Sequence, residues 1–422
     1  MKHRIVKAAL LLALVSLGIT SCEKDDNSVI NKKKLPDPIT IELRGSQDMM
    51  VKSNTQFATD LFDRVLKEEL SKENGNFMIS PFSLSMALAM TQNGANGDTK
   101  TEIMNTLGFE AYTNQEINEY YKNLASAFFK TDPSTKIAIA NSIWTNKNVK
   151  IKDAFITTNK QFFNATAQSV DFANPETAEL INKWSADNTN NLIDNVIDRT
   201  DSEALMYLLN ALYFKGQWAS KFDKKQTSDK PFYSYDGVSQ NAEMMHQEEY
   251  FNYMEDKTMQ AVQLPYGNNS FSMIVMLPKD GKTISDVSSN LKSESVWQNI
   301  NRDMKSEKVD LSLPKFKTRY NLTLNDILHQ MGIKLAFQPL KADFSGMSDN
   351  SSFISFVKQF TYINTDEVGT EAAAVTVVGM LESAAPPTNK TIVFNANRPF
   401  VYAIQENSTK SILFMGIVQH VD

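Results

Sequence analysis

The sequence predicts one α+β domain carried on an N-terminal tether. Two observations carry that class. Stretches with helical periodicity and stretches with strand alternation interleave from about residue 54 to residue 416, and no internal repeat or linker interrupts them. The composition, 42% hydrophobic with a net charge of −6, is globular and supplies ample core for one large or two medium domains. The mild acidity and the lack of a long basic run argue against a nucleic-acid partner.

The chain opens with Lys2, His3, Arg4 and Lys7 before the apolar run Ala8 to Val15, and then Ser16 to Ser21. This is the pattern of a secretory signal peptide, too short to span a membrane stably. Cys22 is the only cysteine, so no intramolecular disulfide is possible and the fold rests on packing. Ile19-Thr20-Ser21-Cys22 resembles a relaxed lipobox of the Bacteroidetes type, which implies a bacterial lipoprotein lipidated at Cys22. A free cysteine inside a removed signal peptide is the alternative. Lys24-Asp25-Asp26 resembles the signal that sends such lipoproteins to the outer face of the outer membrane, though a solvated charge run reads the same. A periplasm-facing anchor is the alternative. Residues 23 to about 48, polar and holding Pro36 and Pro38, read as a flexible tether. The expected division is 1–21 signal peptide, 22–48 lipidated cysteine and tether, and 49–422 folded domain.

Along the domain, Asn54 to Leu70 has helical periodicity, with Phe57, Leu61, Phe62, Val65 and Leu66 on one side. Asn76 to Ile79 reads as a buried strand, and Ser80-Pro81 opens an apolar helix, because proline is favoured where the helix N–H has no partner. Gly94 to Thr99 ends that helix; its glycines lack the spacing and the lysine of a phosphate loop. Ile137 to Trp144 alternates as a strand, Asn159 to Phe163 continues a helix, and Ala178 to Thr189 is helical with Trp184 on its apolar side. Leu205 to Phe214 reads as a buried strand whose one polar residue, Asn210, needs an internal partner. Met244-Met245, Val262 to Tyr266, Phe271 to Pro278 and Val309 to Phe316 read as strands. Leu322 to Met331 reads as a helix capped by Gly332. Thr391 to Phe394, Phe400 to Gln405 and Ser411 to Gly416 close the core as strands.

Between the last helix and those strands lies Glu-Val-Gly-Thr-Glu-Ala-Ala-Ala-Val-Thr-Val-Val-Gly-Met-Leu-Glu-Ser-Ala-Ala-Pro-Pro, residues 367 to 387. Taken as a strand, it turns the small Thr370, Ala372, Ala374 and Thr376 to one face and Glu371, Ala373, Val375 and Val377 to the other. Alanine propensity alone favours a short helix and a surface loop instead.

Glu-x-Gly-Thr-Glu-Ala-Ala-Ala-x-Thr resembles the hinge of the reactive-centre loop of the serpins, the serine protease inhibitor superfamily. Further resemblances run in family order: the strand-Ser-Pro-helix start, Asn210 to Trp218 with Phe222, Thr227 and Phe232, the turn Ala342 to Met347, Arg398-Pro399-Phe400 and the C-terminal strand. They cover roughly Val51 to Val418. The resemblance implies an α+β fold of three β-sheets and about nine helices with an exposed reactive-centre loop. It implies a suicide inhibitor of a serine protease, or of a papain-like cysteine protease, rather than an enzyme. The protease forms an acyl-enzyme with the loop in a 1:1 covalent complex with a monomer, and the freed loop inserts into the central sheet. No cofactor is implied. A serpin-fold surface protein that binds a ligand or partner without trapping is the alternative.

The resemblance assigns the hinge to Glu367, Gly369, Thr370, Glu371, Ala372, Ala373, Ala374 and Thr376. About seventeen residues further on it sets the reactive bond between Ser383 and Ala384, with Glu382–Ser383 and Ala384–Ala385 one residue either way. Ser383 or Ala384 before the bond suits an elastase- or subtilisin-like target, and Glu382 a Glu-specific one. No proline lies between Glu367 and Ala385, so each position can donate to a ladder. At roughly 3.3 Å per residue the stretch reaches over ~50 Å. Ser80, Ser83 and Asn210 match the region where the sheet opens. Gln359 stands where the family usually has a histidine, and an amide can donate and accept but cannot become charged.

Enzyme readings find little support. The four histidines, His3, His246, His329 and His420, form no His-Glu-x-x-His pair, and there is no cysteine cluster for zinc. No Gly-x-Ser-x-Gly elbow occurs. The adjacent Asp366 and Glu367 are expected on opposite sides of a strand.

Overall fold

The computed structural model describes residues 35–72, 75–293, 295–370 and 390–421. Its first helix, α1 (Gln47–Ser71), begins seven residues before the predicted start and buries Phe57, Leu61, Phe62, Val65 and Leu66. The strand β1 (Phe77–Ile79) leads into α2 (Pro81–Gln92), which is buried on every side, as expected of a helix apolar all round. It packs on strands of both sheets. The Gly94–Thr99 string ends α2, and also starts α3 (Gly97–Leu107), which periodicity does not reveal. Then come α4 (Asn114–Thr131), opened by a Thr113–Glu116 capping box, β2 (Lys136–Asn146), α5 (Asp153–Phe163), β3 (Thr166–Val170) and α6 (Glu176–Asn188). Trp184 on α6 meets Trp144 of β2 edge to face.

The buried run around Asn210 is β4 (Met206–Gln217). It is followed by β5 (Ser228–Tyr233), β6 (Ser239–Glu255), β7 (Met259–Tyr266), β8 (Phe271–Pro278), α7 (Ile284–Leu291) and α8 (Val296–Asp303). Val309 to Phe316, expected as one strand, is divided at Lys315 between β9 (Lys305–Pro314) and β10 (Phe316–Thr323), which belong to different sheets. The helix expected from Leu322 starts later, as α9 (Asn325–Met331). Leu322 and Thr323 pair with Gln359 and Lys358, and that ladder overrides the local helical pattern. Gly332 caps α9 as predicted. The chain ends with β11 (Phe356–Thr365), the two-residue β12 (Gly369–Thr370), β13 (Ile392–Asn395), β14 (Phe400–Glu406) and β15 (Ile412–Val418).

Nine α-helices lie among the described residues. One sheet has six strands in the order β10-β11-β12-β4-β2-β3. The other strands form one continuous network, β1-β15-β14-β8-β7-β6-β9-β13, with β5 on β6. The long β6 joins its two arms, using residues 252–255 for β7 and 244–253 for β9. Counted apart, those arms and the six-stranded sheet are three sheets.

Candidate functional site

The six-stranded sheet forks at its centre. β11 and β4 run parallel and pair directly over Phe356–Tyr362 and Tyr207–Tyr213, so no strand lies between them there. Beyond that ladder they part, and β12 enters the gap. Thr370 pairs with Thr365 on one side, while Gly369 and Thr370 pair with Gln217 and Gly216 on the other. Both new pairings are antiparallel.

Asp366 and Glu367 do not lie on a strand; they form the turn that aims β12 into the fork. The Asp366 carboxylate accepts from the N–H of Val368 (2.8 Å) and of Gly369 (3.1 Å), the arrangement by which aspartate closes tight turns. Trp218 holds this turn from outside: its N–H donates to the Val368 carbonyl (2.9 Å) and its indole Nε1 to the Asp366 carbonyl (2.9 Å). Its ring stacks on Tyr266 at 4.5 Å between centroids. Gly369 has φ +157° and lies so close to β4 that a Cβ would stand 2.1 Å from the Gly216 carbonyl oxygen. Only glycine fits there. Thr370 is fully buried, and its hydroxyl shares a 2.7 Å hydrogen bond with the Tyr266 hydroxyl. Burial pushes the Tyr266 phenol up, which keeps it neutral as that partner.

Glu367 is buried, yet ionised. Lys315, at the β9–β10 junction, approaches its carboxylate at 3.0 Å, and the Thr227 hydroxyl donates to it at 2.9 Å. Burial works to raise the carboxyl, but Lys315, a backbone N–H and Thr227 together outweigh it and hold Glu367 below the ordinary glutamate value. Lys315 also meets Glu243 of β6 at 2.8 Å. Burial works against its charge, but both carboxylates overcome that and push its ammonium up. The turn is thereby tied to the second sheet network.

The second part of the site lies under the closed end of the fork. Gln359 on β11 donates from Nε2 to the Asn210 side-chain oxygen on β4 (2.7 Å) and to the Ser80 carbonyl (2.9 Å), and accepts from the Ser80 N–H (2.8 Å). Asn210 donates to the Ser83 hydroxyl and to Asn141 on β2 (2.6 Å). Ser80 Oγ donates to the Leu413 carbonyl of β15 (2.6 Å). Ser80, Ser83, Asn210 and Gln359 thus meet in one buried cluster bolting β11 to β4 and both to α2. It contains no titratable side chain.

Of the predicted hinge, the structure brings Glu367, Gly369 and Thr370 together at the fork. Glu371, Ala372, Ala373, Ala374 and Thr376, the reactive-bond candidates Glu382, Ser383, Ala384 and Ala385, and Cys22 lie outside the described residues. Sequence reasoning gives Lys315, Tyr266 and Trp218 no role at this site. The available signals are weak: a lysine closing Leu-Pro-Lys, a tyrosine closing Leu-Pro-Tyr, and a tryptophan shortly after Gly216.

The family model for serpins (serine protease inhibitors) matches residues 52–421. This chain belongs to the serpin family. Leukocyte elastase inhibitor of Homo sapiens is 33% identical to this serpin over 387 residues, which cover 87% of this chain and 98% of that one. The native-state crystal structure of tengpin, a thermophilic serpin, superposes with a TM-score of 0.81 at 29% identity, covering 92% of this chain and 100% of that one. Human thyroxine-binding globulin in complex with its hormone gives 0.80 at 28% identity, covering 90% and 100%. The forked sheet is therefore that of a serpin whose β4 and β11 are paired directly.

Proposed function

We propose that this serpin inhibits a serine-type endopeptidase, or a cysteine-type one, as a suicide substrate. One observation carries the reading. β12 has already entered between two parallel strands, antiparallel to both, and the segment that follows it in sequence, residues 371–385, is proline-free and rich in small residues. Continuing that strand replaces one parallel ladder with two antiparallel ones, the more stable pairing per residue. The intact loop is tethered at β13 and resists this, so the uncleaved protein is held by kinetics rather than at its free-energy minimum. When the protease's serine or cysteine attacks the Ser383 carbonyl, the peptide bond to Ala384 breaks, the amine of Ala384 leaves, and Ser383 remains as an acyl group on the enzyme. The freed residues 371–383 then insert as a strand and carry the protease with them. Adding a strand to a sheet supplies main-chain hydrogen bonds along its length, and cutting a strained loop releases the energy that drives the addition.

The test is to mix the protein with pancreatic elastase, neutrophil elastase and subtilisin, and to read denaturing gels and intact mass. The expected result is a 1:1 adduct that survives SDS and a released peptide beginning at Ala384. A peptide beginning at Ser383 or Ala385 keeps the mechanism and moves the bond. Clean cleavage with no adduct contradicts it. That result favours a second reading, suggested by the likeness to thyroxine-binding globulin: a serpin fold that binds a ligand or partner without trapping.

The location is part of the same proposal. Residues 1–21 serve as a lipoprotein signal peptide, Cys22 carries the lipid, and the domain stands on the outer face of the outer membrane, with the periplasmic face as the alternative. Labelled-palmitate incorporation that Cys22→Ala abolishes, and digestion by protease added to intact cells, are the expected results.

A further inference from the structure

A cavity of about 320 Å³ lies where five parts of the chain meet: the end of α1, the turn between β5 and β6, the end of β8, the start of α7 and the segment before β14. Its size is at the lower end of the range for small-molecule sites, about 300–1,000 Å³. Leu70, Tyr235, Pro278, Ile284 and Pro399 give it apolar walls. Among the described residues, Lys282 and Arg398 are the only charged members of the lining, and both are cationic. None of these residues belongs to the fork or to the cluster beneath it.

The walls are held in place without a ligand, which lowers the cost of binding one. Asp63 of α1 accepts from the Ser288 hydroxyl of α7 (3.2 Å) and from the Lys292 ammonium just beyond it (3.1 Å). The Tyr233 N–H donates to the Asn397 carbonyl (2.8 Å) and the Tyr235 N–H to the Gln419 carbonyl (3.3 Å), which pins the β5–β6 turn beside Arg398. The N-terminus of α7 is closed by its own capping box, Thr283 with Asp286, so an anion here has to be held by side chains. Arg398 is placed to hold it. Its Nη2 donates to the Pro278 carbonyl (2.7 Å), while the carboxylate that faces it, Asp280, is 4.0 Å away and fully exposed. The Arg398 side chain is only 33% exposed. Burial works against its charge, and the distant Asp280 offsets only part of that. Most of the five guanidinium donors are left uncommitted.

We propose that this cavity binds a small organic anion, a monocarboxylate with a compact apolar body such as a medium-chain fatty acid. The carboxylate takes the planar donor fork of Arg398, which matches it with two parallel hydrogen bonds, and Lys282 adds positive charge at the rim. The apolar body lies against Leu70, Ile284 and the Tyr235 ring, and burial of its surface supplies the rest of the affinity. A wholly polar anion forfeits those walls. A neutral apolar molecule leaves the half-buried Arg398 short of a partner. Strand insertion at the fork involves none of these residues, so binding here stands or falls on its own.

The test is calorimetric titration of the full chain with octanoate, with octanol and inorganic phosphate as comparison probes. Octanoate is expected to bind saturably at a single site, and octanol and phosphate each about 10-fold more weakly or worse. Arg398→Gln is expected to weaken octanoate about 10-fold or more, the scale of a lost hydrogen bond to a charged group. Because Arg398 also holds the Pro278 carbonyl, two further variants leave it in place. Tyr235→Ala trims an exposed wall, and Lys282→Glu reverses the rim charge. Each is expected to weaken octanoate about 3-fold or more with the unfolding temperature unchanged, and the Lys282→Glu effect to shrink at high salt. Absence of saturable octanoate binding to the wild type overturns the site. Undiminished affinity in all three variants overturns it as well, because the acid is then bound elsewhere. Octanol or phosphate binding as tightly as octanoate overturns the assignment of an apolar carboxylate.

Discussion

Glu367 lies in the turn between β11 and β12, and its charge is what Lys315 and Thr227 hold. The sign of its pH dependence follows. A glutamate held below its ordinary value of 4.5 gives its full stabilisation above that value, and loses it as the pH falls through the depressed folded value. Unfolding midpoints measured from pH 7 to 3 are expected to drop in that acid window. Glu367→Gln should make the drop smaller, since other carboxylates such as Asp63 are also held down and keep their share, and should cost about 1.5–3 kcal/mol at pH 7, the usual worth of hydrogen bonds to charged groups. Gln359 makes the opposite prediction, since its cluster has nothing to titrate. Gln359→His introduces a buried imidazole that burial holds neutral, with a depressed folded value. Its unfolding midpoint is expected to fall, relative to wild type, as the pH drops below about 6.5. Thr370 is legible through the resemblance, with alternation setting it on the small-residue face of the stretch. Its partner Tyr266 is not, because 104 residues separate them and only the folded sheets bring them together.

At the scale of elements, β4, β11 and β12 form a fork with one closed end and one open end. Gly369 is its narrowest point. In Gly369→Ala the new methyl meets backbone, not a side chain that can swing away, so β12 must leave the gap. The expected cost is about 1–3 kcal/mol, the scale of local backbone strain, with loss of the Thr370–Tyr266 contact visible as a change in tyrosine fluorescence. Thr370→Arg tests the same seat by charge: a cation buried there without a partner costs several kcal/mol. Cleavage by the target is expected to persist while the SDS-stable adduct disappears. Most strands are readable because alternation and β-branched runs are local signals. The helix expected at Leu322 fails because pairing with β11 is not local, and α3 goes unread because its opening Gly-Asp-Thr looks like a turn. The fork itself is legible only as a resemblance; no periodicity states that two parallel strands will part.

Taken as a whole molecule, the chain seats β12 in the open end of the fork and bolts the closed end with the Gln359–Asn210 hydrogen bond. Insertion, as proposed, requires Gln359 and Asn210 to separate, and the buried polar groups exposed on the way would set a barrier. In the inserted state proposed above, the backbone groups of β4 and β11 are paired again, in two antiparallel ladders. A single nick in residues 371–389 should therefore raise stability, where a nick in an ordinary surface loop leaves it unchanged or lowers it. The measurement is thermal unfolding of the full chain before and after one such cleavage, with mass spectrometry to confirm that both fragments remain. Insertion predicts a large rise in the unfolding temperature of the nicked protein. An unchanged or lower temperature would show that the loop does not enter between β4 and β11, and would contradict inhibition by insertion.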